Sequence, residues 1–312
     1  MTDHRTASNP VREPTNTLVF HAGALGDSII IWPLLRTWAA AGPVTFIAPA
    51  SRAELAATWI DNVCARDGDA APCSRLFAEG AANDIDPSLA LTLADARRVI
   101  SYLSDGRDTW ADNIRSLTPH AALACIQPNP PAGATVHVLN HQRQQLTEQG
   151  LASDPIEPSR RNNPTGPIVI HPGSGGCAKC WPADRFRALI EQLQELNRRA
   201  TVVLGPAERD WWPADRVQLW RDRFNIAEPD NPVRLAQLIA DAALFIGNDS
   251  GPTHLAAQLG IPTVAIFGPT DPAVWSPTGP AVTVRAPPSP GPIEQLSVTQ
   301  ILTAVQSILC TR

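Results

Sequence analysis

Residues 245–272 read FIGNDSGPTHLAAQLGIPTVAIFGPTDP. An apolar run of strand length, residues 243–246, ends at Gly247. Asn248-Asp249-Ser250-Gly251-Pro252 then carries the marks of a helix start: a short oxygen-bearing side chain at the cap, and Pro near the first helical position. The apolar pattern continues over residues 252–259, Gly260 ends it, and residues 263–267 form a second apolar run. Strand, helix, strand in so few residues is a parallel crossover, and such units build a parallel sheet covered by helices. The same stretch predicts chemistry. Amides at a helix start just past a strand end attract anions, so those of Ser250, Gly251 and Thr253 are expected to face a ligand, with the helix dipole favouring a diphosphate. His254 stands one turn in, either toward the cleft or packed. Asp249 reads partly as a cap; beside phosphate its charge would repel, so sugar hydroxyls are its expected partners.

The alternation extends upstream. Residues 168–171 are a strand, followed by the small-residue loop Pro172-Gly173-Ser174-Gly175-Gly176, then Lys179, then a helix over residues 182–197. Loop amides, a helix N-terminus and one ammonium make an anion site of Ser174, Gly175 and Lys179. Lys179 is the only lysine among 25 basic residues, and Lys serves phosphate as a compact point charge. Cys177 and Cys180 form a C-x-x-C in this loop, without the further ligands a zinc site needs. Residues 201–204 form a strand; Glu208 follows it closely enough to reach ribose hydroxyls. A helix is expected over 233–241 and a last one over 297–309.

The N-terminal half repeats the pattern. Residues 17–22 are a strand, then His21-Ala22-Gly23-Ala24-Leu25-Gly26-Asp27 turns into a helix over residues 28–38 that Pro33 should kink. Gly23, Ala24 and Gly26 form a loop that another molecule can approach, and Asp27, expected at the N-cap, is a carboxylate placed as a general base. The glycine spacing is not that of the dinucleotide fingerprint. Residues 44–48 are a strand; Ser51 with Glu54 has capping-box spacing. Residues 123–126 and 135–139 read as strands and 141–149 as a helix ended by Gly150, while 61–90 resist assignment. Residues 154–167 are polar and Pro-rich. They divide two expected Rossmann-like domains, 16–155 and 168–312, with residues 1–15 as a flexible tail.

Composition narrows the classes. The net charge of −5 and the lack of a basic run argue against nucleic acid. No stretch approaches the roughly 20 apolar residues of a membrane span. The polar start lacks a signal core, and six irregularly spaced cysteines suggest a reducing, cytoplasmic setting.

The segments GALGDSIIIWPLLRTW, IHPGSGGCAKCWPADRF, VVLGPAERD and LIADAALFIGNDSGPTHLAAQLGIPTVAIFGPTDPAVW, in that order, resemble glycosyltransferase family 9, the ADP-heptose:lipopolysaccharide heptosyltransferases. The resemblance implies an α/β GT-B fold, two Rossmann-like domains with parallel sheets facing a central cleft. It implies an inverting transfer that uses neither metal nor cofactor, from a nucleotide-sugar such as ADP-heptose to a glycan or glycolipid acceptor. Such an enzyme works in the cytoplasm, peripherally at the inner face of the cytoplasmic membrane. Carried over by position, Asp27 is the base and Lys179, Ser174 and Gly175 hold phosphate. Glu208 binds the nucleoside, and Asp249, Ser250, Gly251, Pro252 and His254 contact diphosphate and sugar. The C-terminal helix often returns to the first domain in this fold. The paired cysteines are unusual for that loop, and no Lys/Arg cluster marks an acidic acceptor. A GT-B transferase with another donor and acceptor, or a sugar-nucleotide-binding protein without catalysis, fits the same residues.

Overall fold

A computed structural model of the chain describes residues 15–310. The expected tail, apart from Thr15, lies outside the described residues. The N-terminal half is built on β1 (Thr17–Phe20), β2 (Val44–Ala48), β3 (Val63–Asp67), β4 (Arg98–Ser101) and β5 (Ala122–Cys125), with helices α1 (Leu25–Ile30), α2 (Trp32–Ala41), α3 (Ala50–Trp59), α4 (Ala71–Ser74), α5 (Pro87–Ala94), α6 (Thr109–Leu117) and α7 (Val138–Glu148). The C-terminal half has β6 (Ile168–His171), β7 (Ala200–Val203), β8 (Ile226–Ala227), β9 (Leu244–Asn248), β10 (Thr263–Ile266) and β11 (Val282–Arg285). Its helices are α8 (Ala183–Glu195), α9 (Pro206–Trp211), α10 (Ala214–Arg223), α11 (Pro232–Ala240), α12 (Gly251–Gln258), α13 (Pro272–Trp275) and α14 (Val298–Cys310).

All strand pairs are parallel. The first sheet runs β3-β2-β1-β4-β5 and the second β11-β10-β9-β6-β7-β8. Counted from the first strand of each half, they follow the doubly wound orders 3-2-1-4-5 and 3-2-1-4-5-6, in which the strand order reverses beside the first strand. The central strands β1, β6, β9 and β10 are buried along their whole length, as sheets covered on both faces require.

Several local expectations change. The helix expected over residues 28–38 is two helices, broken at Ile31. Pro33 has no N–H to donate to Ile29, so the chain restarts with Pro33 in the first turn of α2. Asp27 is not the N-cap: Ala24 is, and Asp27 is the third residue of α1. Pro49, not Ser51, precedes α3. Residues 135–139 form no strand; His137 caps α7 by accepting the Leu139 N–H at 3.3 Å. The C-terminal helix does not return to the N-terminal half. Ile301, Ala304 and Val305 of α14 are buried among Leu189, Ile190 and Val264, against α8, β10 and β11.

One apolar cluster runs through both halves. It joins Val19, Leu34, Leu35 and Ala56 to Val203, Leu235, Ile239, Phe245 and Leu255. The contact is made where α1 meets α12 and α3 meets α11. Behind it, the Arg36 guanidinium donates to the side-chain and backbone oxygens of Gln258, whose amide donates to Glu157 at 3.0 Å. Residues 157–161 of the linking segment thus lie docked at the C-terminal end of α12.

That end explains Gly260. Its φ is +78°, its N–H donates to Ala257 and the Ile261 N–H donates to Ala256, a Schellman closure. A Cβ here would lie 2.1 Å from the Ser159 carbonyl oxygen. Gly260→Ala is expected to lower stability by more than about 1 kcal/mol. Thermal unfolding checks this; an unchanged midpoint would contradict the docking.

Candidate active site

Ligands in doubly wound sheets bind beyond the carboxyl ends of the strands, where the strand order reverses. In the first sheet that point lies between β1 and β4, and the chain leaving β1 is His21 to Asp27. In the second it lies between β6 and β9, whose exits carry His171 to Lys179 and Asp249 to His254. The two points face each other across a cleft containing two adjoining cavities of about 390 and 410 Å³. Ala24, Gly26, Ser174, Gly175, Ser250 and Gly251 line both, so the cavities share a wall.

The first cavity brings together Asp27, Lys179, Asp249 and His254. Asp27 Oδ2 accepts the Ala24 N–H at 3.0 Å, fixing the carboxylate at the start of α1. The loop permits this only with glycine at 23, where a Cβ would lie 2.6 Å from His21 Cε1 and 2.7 Å from Asp27 Cβ. Gly23 itself is absent from the lining of both cavities. The Gly23 N–H donates to His21 Nδ1 at 3.1 Å, which puts the ring proton on Nε2. Burial, helped by Arg52, brings the His21 pKa down to about 4, so the ring is neutral. Gly251 allows α12 to approach α1: a Cβ there would sit 3.1 Å from Leu25 side-chain atoms.

Asp249 is the electrostatic centre. Its Oδ2 accepts from Lys179 Nζ and Thr270 Oγ1, each at 2.8 Å, and its Oδ1 lies 3.8 Å from His254 Nε2. The carboxylate is therefore compensated. Burial alone pushes its pKa up, but His254, Lys179 and Thr270 outweigh that and bring it down to about 2. Asn248 joins the two exits of the second sheet: its amide donates to the Pro172 carbonyl at 2.7 Å and its oxygen accepts the Trp181 N–H at 3.0 Å. Ser174 Oγ donates to the Asp249 carbonyl at 2.6 Å.

The Asp249 shift has a consequence in acid. A carboxyl held at about 2 in the fold and 3.8 unfolded contributes stability that is complete above 3.8 and is lost as pH falls through 2. The contribution is roughly 2 kcal/mol. Urea unfolding between pH 5 and 2.5 should show a smaller acid loss in Asp249→Asn than in the wild type; equal slopes would remove Asp249 as the source.

The second cavity is lined largely by apolar atoms, with Val203, Pro206, Pro232 and Leu235 forming its walls. Arg209, Asp230 and Asn231 add polar groups, and Pro252 lies at its edge. None of those three polar residues stood out in the sequence: Arg209 lies four residues past Gly205, and the exit of β8 that carries Asp230 and Asn231 has no glycine.

Two expectations are corrected. Glu208 lines neither cavity. Its side chain is fully buried, Oε2 accepts the Gly205 N–H at 2.7 Å, and Oε1 lies 3.4 Å from His171 Nε2. The carboxylate is wedged under the glycine loop, where a Cβ on Gly173 would come 2.2 Å from it. Burial keeps His171 pKa low, against the pull of Glu208. The Thr253 amide is not free for a ligand either, since it donates to the Ser250 carbonyl at 3.1 Å. Thr270 was missed as a site residue; the only signal was its place just after the Gly268-Pro269 strand exit. Among the described residues, no three His, Cys, Asp or Glu side chains gather as a metal site, and no helix is long and apolar enough to cross a membrane.

Comparison with known proteins follows this geometry. The lipopolysaccharide heptosyltransferase 3 of Escherichia coli (strain K12) is 34% identical over 111 residues, 35% of this chain and 32% of that protein. The lipooligosaccharide heptosyltransferase 2 of Campylobacter jejuni subsp. jejuni serotype O:2 is 34% identical over 108 residues, 33% of this chain and 34% of that protein. The chain thus spans about a third of the length of the curated relatives it matches. The same GT-B fold, two parallel sheets with helices facing a cleft, is found in a glycosyl transferase family 9 protein from Veillonella parvula, with a TM-score of 0.70 and 17% identity over 96% of this chain and 98% of that one. It is found again in the E. coli heptosyltransferase WaaC with ADP, with a TM-score of 0.68 and 16% identity over 94% of this chain and 100% of that one. A profile described as "Glycosyltransferase family 9 (heptosyltransferase)" matches residues 119–292, more than half of the sequence, and the chain belongs to that family.

Proposed function

We propose that the chain is an inverting glycosyltransferase that moves heptose from an ADP-linked donor to a hydroxyl of a lipopolysaccharide-type glycan, with no metal ion. The observation that carries this is the opposition of Asp27 to the Lys179–Asp249–His254 group across one cavity. Attack at an anomeric carbon with inversion needs a proton acceptor on one face of the sugar and charge stabilisation on the other. Asp27 takes the proton of the acceptor hydroxyl. Lys179 and the loop at Ser174 and Gly175, with Ser250 and Gly251 at the start of α12, stabilise the diphosphate as it leaves. Preorganised donors of this kind are worth most where water is excluded. Asp249 and His254 meet the sugar, and the apolar walls at Val203, Pro206 and Leu235 hold the base.

The named relatives support the heptose and the acceptor class: they are heptosyltransferases of lipopolysaccharide and lipooligosaccharide. Similar folds have been solved with ADP and with ADP-2-deoxy-2-fluoro heptose. The acceptor enters from the N-terminal half, and the enzyme works at the cytoplasmic face of the membrane. The division into an acceptor domain, residues 16–155, and a donor domain, residues 168–312, belongs to the same proposal.

Calorimetric titration of a panel of nucleotide-sugars, ADP-heptose included, with and without EDTA, tests it. Selective binding of an ADP-sugar that EDTA leaves unchanged is expected. Preference for a UDP- or GDP-sugar would remove the heptose assignment and keep the transferase. Binding without turnover on any glycan acceptor would favour a sugar-nucleotide-binding protein.

A further inference from the structure

Two thiols flank the lysine of the phosphate loop, and the reading above leaves them without a task. Cys177 is exposed and Cys180 half-buried. They stand at the ends of a tight turn in which the Cys180 N–H donates to the Cys177 carbonyl at 3.0 Å. A turn closed this way holds its first and fourth Cα atoms within about 7 Å. A disulfide spans Cα separations of roughly 4.4–6.8 Å, so the turn brings the two Cα atoms into its reach. In the reduced state the Cys180 thiol donates instead to the Gly176 carbonyl at 3.6 Å. Between the two thiols is Lys179, whose ammonium reaches Asp249 at 2.8 Å. Gly175, in the same loop, lines both cavities.

We propose that Cys177 and Cys180 are a reversible modification site: they close an intramolecular disulfide that weakens donor binding by constraining Lys179. The effect on binding rests on the proposed role of Lys179 at the donor diphosphate. The oxidant is a low-molecular-weight disulfide, RSSR. Cys177 gives up its proton and its thiolate attacks one sulfur of RSSR; a Cys177–SR bond forms, the original S–S bond breaks, and RS⁻ leaves and takes up the proton. Cys180 then loses its proton to a solvent base and attacks Cys177 Sγ, and the second RS⁻ leaves. Two protein thiols are oxidised by two electrons, and one small disulfide becomes two thiols.

Exposure assigns the order, since solvent reaches Cys177 first. Burial, with Cys177 and Glu208 adding to it, pushes the Cys180 thiol up to about 11, so Cys180 is the poorer first nucleophile and attacks only once the mixed disulfide stands beside it. Ring closure requires Cys180 Sγ to leave the Gly176 carbonyl. It also encloses Ala178 and Lys179, fixing the backbone from which the ammonium reaches Asp249. In reducing compartments, disulfides of this kind are transient and regulatory.

The test uses the full chain, treated with oxidised glutathione and then freed of it. Intact-mass measurement and peptide mapping should show loss of two hydrogens from the peptide holding Cys177 and Cys180. Calorimetry with ADP should show affinity weakened by at least about threefold, roughly 0.7 kcal/mol, and restored by dithiothreitol. Cys177→Ser and Cys180→Ser should each abolish both changes while keeping the reduced protein's ADP affinity. Glutathione adducts without the internal bond overturn the proposal. So does an oxidised wild type that binds ADP as tightly as the reduced one; the donor assignment then stands alone. A reduced protein that binds no ADP fails the donor assignment first and takes the effect on binding with it.

Discussion

Replacing Asp27 with Asn is expected to lower the rate of sugar transfer by about 10²- to 10⁴-fold, the range that general bases contribute, with donor affinity nearly unchanged. The substitution separates two duties. Asp27 Oδ2 accepts the Ala24 N–H and holds the first turn of α1. An Asn oxygen accepts the same bond, so the helix start and the loop around Gly23 persist. What disappears is a group able to take a proton. Asp27→Ala would remove the cap as well, worth about 1 kcal/mol, and so mixes chemistry with folding. Single-turnover rates beside calorimetric donor affinity form the measurement. If Asn weakens donor binding as much as it slows transfer, Asp27 belongs to binding and the base lies elsewhere.

The second large effect is at Lys179. Lys179→Ala is expected to weaken nucleoside diphosphate binding by about 10- to 100-fold, the equivalent of one charge-assisted hydrogen bond of roughly 1.5–3 kcal/mol. Two causes act together. The ammonium that would meet the diphosphate is gone. The 7% exposed Asp249 carboxylate is also left with only Thr270 and His254 beside it, and so repels the incoming anion. Lys179→Arg restores the charge but not the compact head group and should recover only part of the affinity. An alanine variant that binds the diphosphate as the wild type does would remove Lys179 from the phosphate site.

Much of this was readable from residue order, and the reasons differ by place. β6 and β10 are short, mostly apolar runs that each follow a proline, and β9 holds the apolar run Leu244-Phe245-Ile246 ending at Gly247, so their type and position follow directly from the pattern. The loops at Asp27, Lys179 and Asp249 announced themselves by small residues next to a helix start, a pattern that lets another molecule approach the backbone closely. The harder parts lack such signals. β3 buries only its first residue fully, so Val63-Cys64-Ala65-Arg66-Asp67 has no apolar face to detect. The wall formed by Arg209, Asp230 and Asn231 is assembled from separate strand exits. Glu208 shows the limit most clearly. Its place just past a strand end suggested an outward carboxylate, but a capping interaction with Gly205 and the space left by Gly173 turn it inward. Residue order fixes which strand end a side chain follows, and packing decides which way it points.

The apolar cluster shared by the two halves also sets a schedule for the chain as it is made. Leu34, Leu35 and Ala56 leave the ribosome early, yet partners such as Leu235, Ile239 and Leu255 are some 180–220 residues downstream. At roughly 5–20 residues per second, the nascent N-terminal half waits about 9–44 s with that face uncovered. For that interval it presents to solvent a surface built to be interior, the condition in which nascent chains are most open to misassembly.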